Sequence, residues 1–177
     1  GVNHLTFIGC KAFDCTDGGF DLKASDMIFK NCISFRNKRN FRIWDAAVFE
    51  NCIMGFPIKR GGSGDAANMG VYAKGVISLD HCTLIGDGSQ FSIDVKESPP
   101  GTPHVSVKNS LVISVNKEAP HYGKEVEADD TAMFKLADAP KGPVFKEAPR
   151  QEWDGSGTAF DALPAYAGQG YHQDAAH

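Results

Sequence analysis

Three stretches of the chain repeat one pattern: "FDLKASDMIFKNC" over residues 20–32, "FRIWDAAVFENC" over 41–52 and "VYAKGVISLDHC" over 71–82. Each begins with two apolar residues at alternate positions, continues through a polar turn and ends in a hydrophobic run that closes on a cysteine. Repetition with a period of about 20 to 50 residues is typical of proteins that stack one structural unit. The repeat therefore decides the architecture before any single segment does.

Aligning the chain on these cysteines extends the repeat to "IGCKAF", "KNCISF", "ENCIMGF", "DHCTLI" and "KNSLVI", where Ser110 takes the cysteine position. The alternation of apolar and polar residues predicts short strands, with no helical segment between them. Parallel strands need a crossover, and here each crossover is itself a strand. The sequence predicts an all-β fold, a right-handed parallel β-helix with about five visible turns.

Like residues should stack into ladders along such a helix. One predicted ladder is Cys10, Cys32, Cys52 and Cys82, and a second is Asn31, Asn51 and Asn109. The cysteines form no C-x-x-C pair, so a zinc site is not expected, and the thiols are interpreted as small buried packing residues.

The repeat weakens after about Val115, although "MFKLAD" reads as one more strand. We therefore expect a β-helix over residues 1–138 and an irregular tail over 139–177 that packs along its side. The first residues, "GVNHLTFIGC", begin inside a strand-like run. This predicts further turns, and a targeting segment, before Gly1 in the natural protein.

The residues that break the repetition are candidates for function. The predicted inward pairs are Phe20 and Leu22, Phe41 and Ile43, Val71 and Ala73, and Phe91 and Ile93. The predicted outward columns are Asp21, Arg42, Tyr72 and Ser92, and next to them Lys23, Trp44, Lys74 and Asp94. The loop over residues 57–68 should stand at the rim of this face, with Lys59 and Arg60 able to close over a ligand. Aromatic faces pack on sugar rings, and Arg and Lys pair with uronic carboxylates, so the face predicts a groove for an acidic polysaccharide.

The net charge of the chain limits the classes of partner that it is expected to bind. The chain of 177 residues carries a formal net charge of -4, which argues against a nucleic-acid surface, and no apolar run is long enough to span a membrane. We expect a monomeric, secreted or cell-surface protein whose partner is an acidic polysaccharide.

At "TDGGFDL" (16–22) and "NFRIW" (40–44) the chain resembles the calcium-dependent pectate lyases of the parallel β-helix class. The resemblance spans roughly residues 1 to 115. It implies calcium as the cofactor, with Asp14, Asp17 and Asp21 as candidate ligands, and Gly18 stands where a further acidic residue would be expected. It places Arg42 where the family has its catalytic lysine, the base that removes the proton next to the uronate carboxylate.

The resemblance implies a polysaccharide lyase that cleaves a uronate-containing glycan by β-elimination. The Gly18 and Arg42 substitutions leave open a non-catalytic carbohydrate-binding module of the adhesin or tailspike kind. A hydrolase or epimerase on the same scaffold is a third class, and paired carboxylates for hydrolysis are not expected because Asp21 and Asp94 are three turns apart.

The environment of the Arg42 guanidinium distinguishes a ligand-binding face from a purely structural one. A uronate groove predicts an accessible Arg42 guanidinium that points into the groove and forms no buried ion pair with Asp21. A structural face predicts that Arg42 and Asp21 neutralise each other as a cross-strand pair worth less than about 1 kcal/mol.

Overall fold

The computed structural model describes residues 2–72, 75–86, 91–96, 104–114, 119–123, 126–135 and 170–171. All regular structure in these ranges is β, in sixteen short strands. In chain order they are β1 Thr6–Ile8, β2 Lys11–Phe13, β3 Gly18–Leu22, β4 Met27–Lys30, β5 Ile33–Phe35, β6 Arg39–Ile43, β7 Ala47–Glu50, β8 Ile53–Gly55, β9 Ala67–Val71, β10 Val76–Asp80, β11 Thr83–Gly86, β12 Ile93–Val95, β13 His104–Lys108, β14 Leu111–Ser114, β15 Val126–Asp129 and β16 Ala132–Lys135. No helix in the described ranges is long and apolar enough to cross a membrane.

The strands form three parallel sheets. Sheet 1 has the order β1-β4-β7-β10-β13-β15, sheet 2 the order β2-β5-β8-β11-β14-β16 and sheet 3 the order β3-β6-β9-β12. Each of the first four coils adds one strand to each sheet, as in β4, β5 and β6, and over the described residues the last two coils add strands to sheets 1 and 2. This is the predicted right-handed parallel β-helix.

The stack continues further than the repeat suggests. β15 pairs with β13, and β16 pairs with β14, so sheets 1 and 2 have six strands where about five turns were predicted. The repeat of the sequence weakens near Val115, but the stack of strands continues, and the strand predicted at "MFKLAD" is confirmed by β16. β15 was missed because it is largely exposed and carries charge, so no apolar alternation marks it.

Gly170 and Tyr171 are the described residues of the predicted tail. The Gly170 N–H donates to the carbonyl of Asn109 at 2.8 Å, and the Tyr171 N–H donates to Thr83 Oγ1 at 2.9 Å. Tyr171 is buried. This point of the chain therefore packs against sheet 2, and the rest of 139–177 lies outside the described residues.

The core is a stack of aromatic rings. Phe29 is stacked between Phe7 and Phe49 at centroid distances of 5.1 and 4.7 Å, and it meets Phe41 edge to face at 5.2 Å. Since β-strands in a sheet lie about 4.8 Å apart, identical residues in register bring their rings to stacking distance. The repeated phenylalanines therefore form a continuous stack in the core, beside the aliphatic side chains of the later coils.

The cysteine ladder is confirmed. Cys32, Cys52 and Cys82 are fully buried and all the cysteines are free thiols. Ser110 occupies the next position, where its Oγ accepts a hydrogen bond from the Cys82 N–H at 3.0 Å. Burial raises the pKa of the Cys52 thiol well above its ordinary value. These thiols pack the corner between sheets 1 and 2.

The asparagine ladder is confirmed in part. Asn51 Nδ2 donates to Asn31 Oδ1 at 2.6 Å, but Asn109 Nδ2 donates to Asp80 Oδ1 at 2.8 Å because His81 occupies the position between Asn51 and Asn109. The residues at this corner share a positive φ: Gly9, Asn31, Asn51, His81, Asn109 and Asp130. Asn is tolerated there because its short polar side chain accommodates the left-handed region.

Candidate anion-binding site

The exposed side of sheet 3 has a different register from the predicted one. Asp21 lies opposite Arg42, as expected, but Arg42 lies opposite Gly70 and not opposite Tyr72. β9 turns Met69 and Val71 inward, opposite Phe41 and Ile43, so the inward pair begins two residues earlier than predicted. Val71 points inward as predicted, but the predicted register, with Val71 opposite Phe41, is wrong, and Ala73 lies outside the described residues.

In the fourth coil the inward pair begins two residues later than predicted. Ile93 and Val95 lie opposite Met69 and Val71, and Asp94 lies opposite Gly70. Phe91, predicted to point inward, is 42% exposed, and Ser92, predicted to be exposed, is buried. The corrected first column is Asp21, Arg42, Gly70 and Asp94.

Arg42 forms ion pairs with two carboxylates. Its Nη1 lies 3.0 Å from Asp21 Oδ2 and 3.3 Å from Asp17 Oδ2, and its side chain is 22% exposed. Asp21 also accepts a hydrogen bond from Trp44 Nε1 at 2.8 Å. The expectation of an Arg42 guanidinium free of Asp21 is wrong. The observed cross-strand pair is the one that a structural face predicts at these two positions, because the parallel register places them on directly adjacent strands.

Trp44 and Tyr72 are stacked on each other, with centroids 4.6 Å apart and planes at 22°. Lys23 Nζ lies 4.9 Å from the Trp44 ring centroid, and Arg42 Cζ lies 4.7 Å from it and 5.0 Å from the Tyr72 centroid. The ring faces are therefore in contact with protein cations and with each other. A ligand would meet the ring edges and the Lys23 ammonium, not the free ring face that sugar stacking requires.

Asp14 faces a separate pair of arginines. Its Oδ1 lies 2.8 Å from Arg36 Nε and 2.7 Å from Arg60 Nη2, and Arg60 also donates to the backbone carbonyl of Arg36. Arg60 thereby fastens the loop over residues 57–66 to the turn before β6. Lys59 pairs loosely with Asp65 at 3.9 Å, and both side chains are well exposed. The predicted residue Lys74 lies outside the described residues.

The three predicted calcium ligands do not converge. Asp14 faces Arg36 and Arg60, whereas Asp17 and Asp21 face Arg42. Over the described ranges, no group of three or more His, Cys, Asp or Glu side chains is arranged to hold a metal ion. The carboxylates as arranged do not fit a calcium site, so calcium stays a prediction without support from their geometry.

A cavity of about 410 Å³ opens beside Arg42, between the start of β6 and the 57–66 loop. It is lined by Thr16, Asp17, Lys38, Arg39, Arg42, Arg60, Gly61, Gly62 and Ser63. Four of these side chains are cations and one is a carboxylate. The cavity is therefore strongly suited to an anion.

Lys38 and Arg39 are the two buried cations of this cavity, and each is 4% exposed. Lys38 Nζ donates to the Ser63 carbonyl at 2.6 Å and forms no ion pair with a described carboxylate. Arg39 Nη1 lies 3.7 Å from Asp17 Oδ1, and its buried Nε has no hydrogen-bond partner in the described structure. Burying a charge is costly unless it is closely paired, so these two side chains are short of negative charge.

A buried polar network fixes the backbone that carries both cations. Asn40 Nδ2 donates to Asn68 Oδ1 and to the Gly55 carbonyl, both at 2.9 Å. Asn37 Nδ2 donates to Ser34 Oγ at 3.0 Å and to Asn40 Oδ1 at 3.0 Å. Since Asn37 and Asn40 flank Lys38 and Arg39, this network holds the two cations at a rigid corner.

Gly70 provides space for Arg39. A Cβ at position 70 would lie 2.5 Å from Arg39 Cδ and 3.0 Å from its Nε. Gly64, at φ +77, closes the other side, where a Cβ would lie 2.6 Å from Arg39 Nη2. The absence of a side chain opposite Arg42 in the first column thus lets the Arg39 guanidinium reach the cavity.

Sequence reasoning singled out Arg42, Arg60 and Asp17 at this cavity but missed Lys38 and Arg39. The signal available was the run "RNKRN" at 36–40, in which three basic residues alternate with asparagines. Asn37 and Asn40 are buried at a corner of the coil, and Lys38 and Arg39 lie between them. Packing alone does not favour charged side chains at such a buried position.

Comparisons of this chain with protein-family models, with curated proteins and with solved structures find no match. The β-helix fold is therefore shown by the structure, and the pectate lyase resemblance rests on the quoted motifs.

Proposed function

We propose that this protein binds a uronate-containing acidic polysaccharide along the outer side of sheet 3, with one carboxylate of the glycan in the cationic cavity. The observation that carries the proposal is the pair of buried, under-neutralised cations, Lys38 and Arg39, on the wall of an open cavity. A carboxylate there would supply the missing negative charge in a partly desolvated place, where each ion pair is stronger than at the surface.

The neighbouring face suits a polymer better than a small anion. Lys23, Trp44 and Tyr72 continue from the cavity across adjacent strands of sheet 3. Four strands at about 4.8 Å spacing give a face roughly 14 Å across, enough for a few sugar rings. Lys23 can pair with a second carboxylate, and the edges of the two aromatic rings provide apolar contact.

Affinity electrophoresis tests the proposal directly. We expect the protein to be retarded in gels that contain polygalacturonate and to run normally in gels that contain neutral galactan. Arg39→Met and Lys38→Met should each abolish most of the retardation. Lys30→Met is the matched control, because Lys30 is an exposed cation of sheet 1 that pairs with Glu50 at 2.6 Å. Equal retardation of Arg39→Met and the native protein would contradict the proposal.

Cleavage by β-elimination is the second candidate, favoured by the presence of the Lys38 amine on the same cavity wall as the Arg39 and Arg42 guanidinium groups. Cations around a uronate carboxylate make the adjacent C–H more acidic, and a base removes that proton. The electron pair forms the new C=C bond, and the glycosidic oxygen leaves and takes up a proton. Arg42 is the weaker candidate base, because its Nη1 is already engaged by two carboxylates.

The ultraviolet absorbance of the unsaturated uronate separates cleavage from binding alone. Product from polygalacturonate or alginate, lost in Lys38→Met, would establish a lyase. Retardation in the gel without product would establish the binding module of the adhesin or tailspike kind.

A further inference from the structure

We infer that the cavity is a metal-independent carboxylate site in which Asp17 holds the place of the glycan carboxylate while no ligand is bound. The inference rests on the proposed function and identifies the part of the glycan that enters the cavity. It also assigns Asp17 a role opposite to that of a calcium ligand.

Asp17 is held loosely by the cavity cations. Its Oδ2 lies 3.3 Å from Arg42 Nη1 and its Oδ1 lies 3.7 Å from Arg39 Nη1, both longer than the roughly 2.7–2.9 Å of a strong charge-assisted hydrogen bond. The Asp17 side chain is also 57% exposed. It can therefore leave the guanidinium groups at small cost when another carboxylate arrives.

The cations on the cavity wall carry more positive charge than the Asp17 carboxylate can neutralise. Arg60 is paired with Asp14, and Arg42 is shared with Asp21, but Lys38 faces the neutral Ser63 carbonyl. Asp17 alone is acidic among the described residues that line the cavity. A planar uronate carboxylate, with two acceptor oxygens, is the chemical group that matches an ammonium beside a guanidinium fork.

The same charges disfavour a divalent cation. Ca²⁺ prefers several carboxylate and carbonyl oxygens, and four protein cations at one cavity would repel it. The fixed guanidinium and ammonium groups would then do what calcium does in the resembled enzymes, which is to neutralise the uronate carboxylate. Binding should thus be independent of calcium.

The two roles for Asp17 predict opposite effects of one substitution. As a stand-in for the ligand, Asp17 competes with the glycan, so Asp17→Asn should lower the dissociation constant of trigalacturonate about three- to tenfold. As a calcium ligand, Asp17 would be needed, and Asp17→Asn should weaken binding. Asp26→Asn is the matched control, because the Asp26 side chain is also 57% exposed and loses the same charge away from the cavity.

Isothermal titration of trigalacturonate into the full chain, in EDTA and then in excess calcium, decides between them. We expect the native protein to bind equally in both buffers, Asp17→Asn to bind more tightly in both, Asp26→Asn to stay within about twofold of the native protein, and Lys38→Met to bind at least about tenfold more weakly. A calcium requirement, or weaker binding by Asp17→Asn, would overturn the inference while gel retardation by polygalacturonate still supported the proposed function.

Two further outcomes are decisive. If Asp17→Asn binds trigalacturonate more tightly than the native protein in both buffers, but neither is retarded by polygalacturonate, the carboxylate site in the cavity is supported and the binding of a polymer along sheet 3 fails. If neither protein binds trigalacturonate in either buffer, the inference is overturned, and the gel experiment decides the proposed function separately.

Discussion

Two corners of the β-helix differ in whether the same residue type recurs from coil to coil. At the corner between sheets 1 and 2, cysteine recurs in successive coils as Cys10, Cys32, Cys52 and Cys82, followed by Ser110. At the start of sheet 3 the residues in register are Gly18, Arg39 and Ala67. A stack places equivalent positions about 4.8 Å apart, so repetition reflects packing of like on like. A position whose residue differs from coil to coil does not pack like on like. At the start of sheet 3, this position carries Arg39, one of the buried cations of the cavity.

The largest effect on stability should come from a substitution in the repeated aromatic stack. Phe29→Ala removes a fully buried ring from the centre of the aromatic stack, and we expect the free energy of unfolding to fall by about 3–5 kcal/mol. Val48→Ala, on the exposed side of sheet 1, is the control and should change it by less than about 0.5 kcal/mol. Urea denaturation measures both, and a loss below about 1 kcal/mol for Phe29→Ala would contradict the ladder account of stability.

One substitution made at two strand glycines sharpens the comparison. At Gly55, in β8, a Cβ would lie 2.6 Å from the Phe35 ring and 3.2 Å from Ile85 Cβ, so Gly55→Ala should cost about 1–3 kcal/mol of stability. At Gly70, in β9, the Cβ would lie 2.5 Å from Arg39 Cδ, so the buried Arg39 side chain must shift.

Gly70→Ala should displace Arg39, change the free energy of unfolding by less than about 1 kcal/mol, as we expect for Arg39→Met, and weaken retardation by polygalacturonate. Gly55→Ala should keep full retardation in its folded fraction. If Gly70→Ala lost more stability than Gly55→Ala, and Gly55→Ala lost retardation, sheets 2 and 3 would not differ in function as proposed.

The cysteine ladder predicts a sensitivity to alkali. Because burial raises the pKa of the Cys52 thiol in the folded protein, the unfolded chain loses its proton first as the pH rises. Stability from this group is complete below the ordinary thiol pKa of about 8.5 and is lost progressively above it. Urea midpoints of the native protein should fall above that pH, and Cys52→Ala should fall less steeply. Identical slopes would mean that the buried thiol is not the cause.

Removal of a cavity cation should separate function from stability. Arg39→Met replaces an under-neutralised buried charge with an apolar chain of similar length, so we expect stability to change by less than about 1 kcal/mol or to increase. Thermal unfolding in the absence of glycan measures the effect. A loss above about 3 kcal/mol would mean that Arg39 is a scaffold residue, well compensated in the native state.

The smallest effect is expected at the loop surface. Lys59→Ala removes an exposed pair with Asp65, 3.9 Å away, and should change the free energy of unfolding by less than about 0.5 kcal/mol. Glycan retardation should also stay near the native value, because Lys59 does not line the cavity. Clear weakening of retardation would move the binding surface outward onto the loop.

The fold could be predicted from the sequence because the Cys and Phe positions recur with near-constant spacing. The register of β9 and β12 in sheet 3 could not, since apolar residues alternate without a break from Ala67 to Ala73 in the sequence, so more than one register matches Phe41 and Ile43. The 57–66 insertion before β9 also removes the spacing that would have corrected the error. Lys38 and Arg39 were missed because charge is normally a sign of exposure, and only the fold shows that the asparagines around them are buried.

A crystal structure of the full chain with trigalacturonate, in buffer that contains EDTA, would show where the glycan carboxylate binds. We expect a uronate carboxylate within hydrogen-bond distance of Lys38 Nζ and the Arg39 guanidinium, with Asp17 turned away from both arginines. A sugar bound on another face, or an empty cavity under conditions in which the protein binds trigalacturonate, would contradict this expectation.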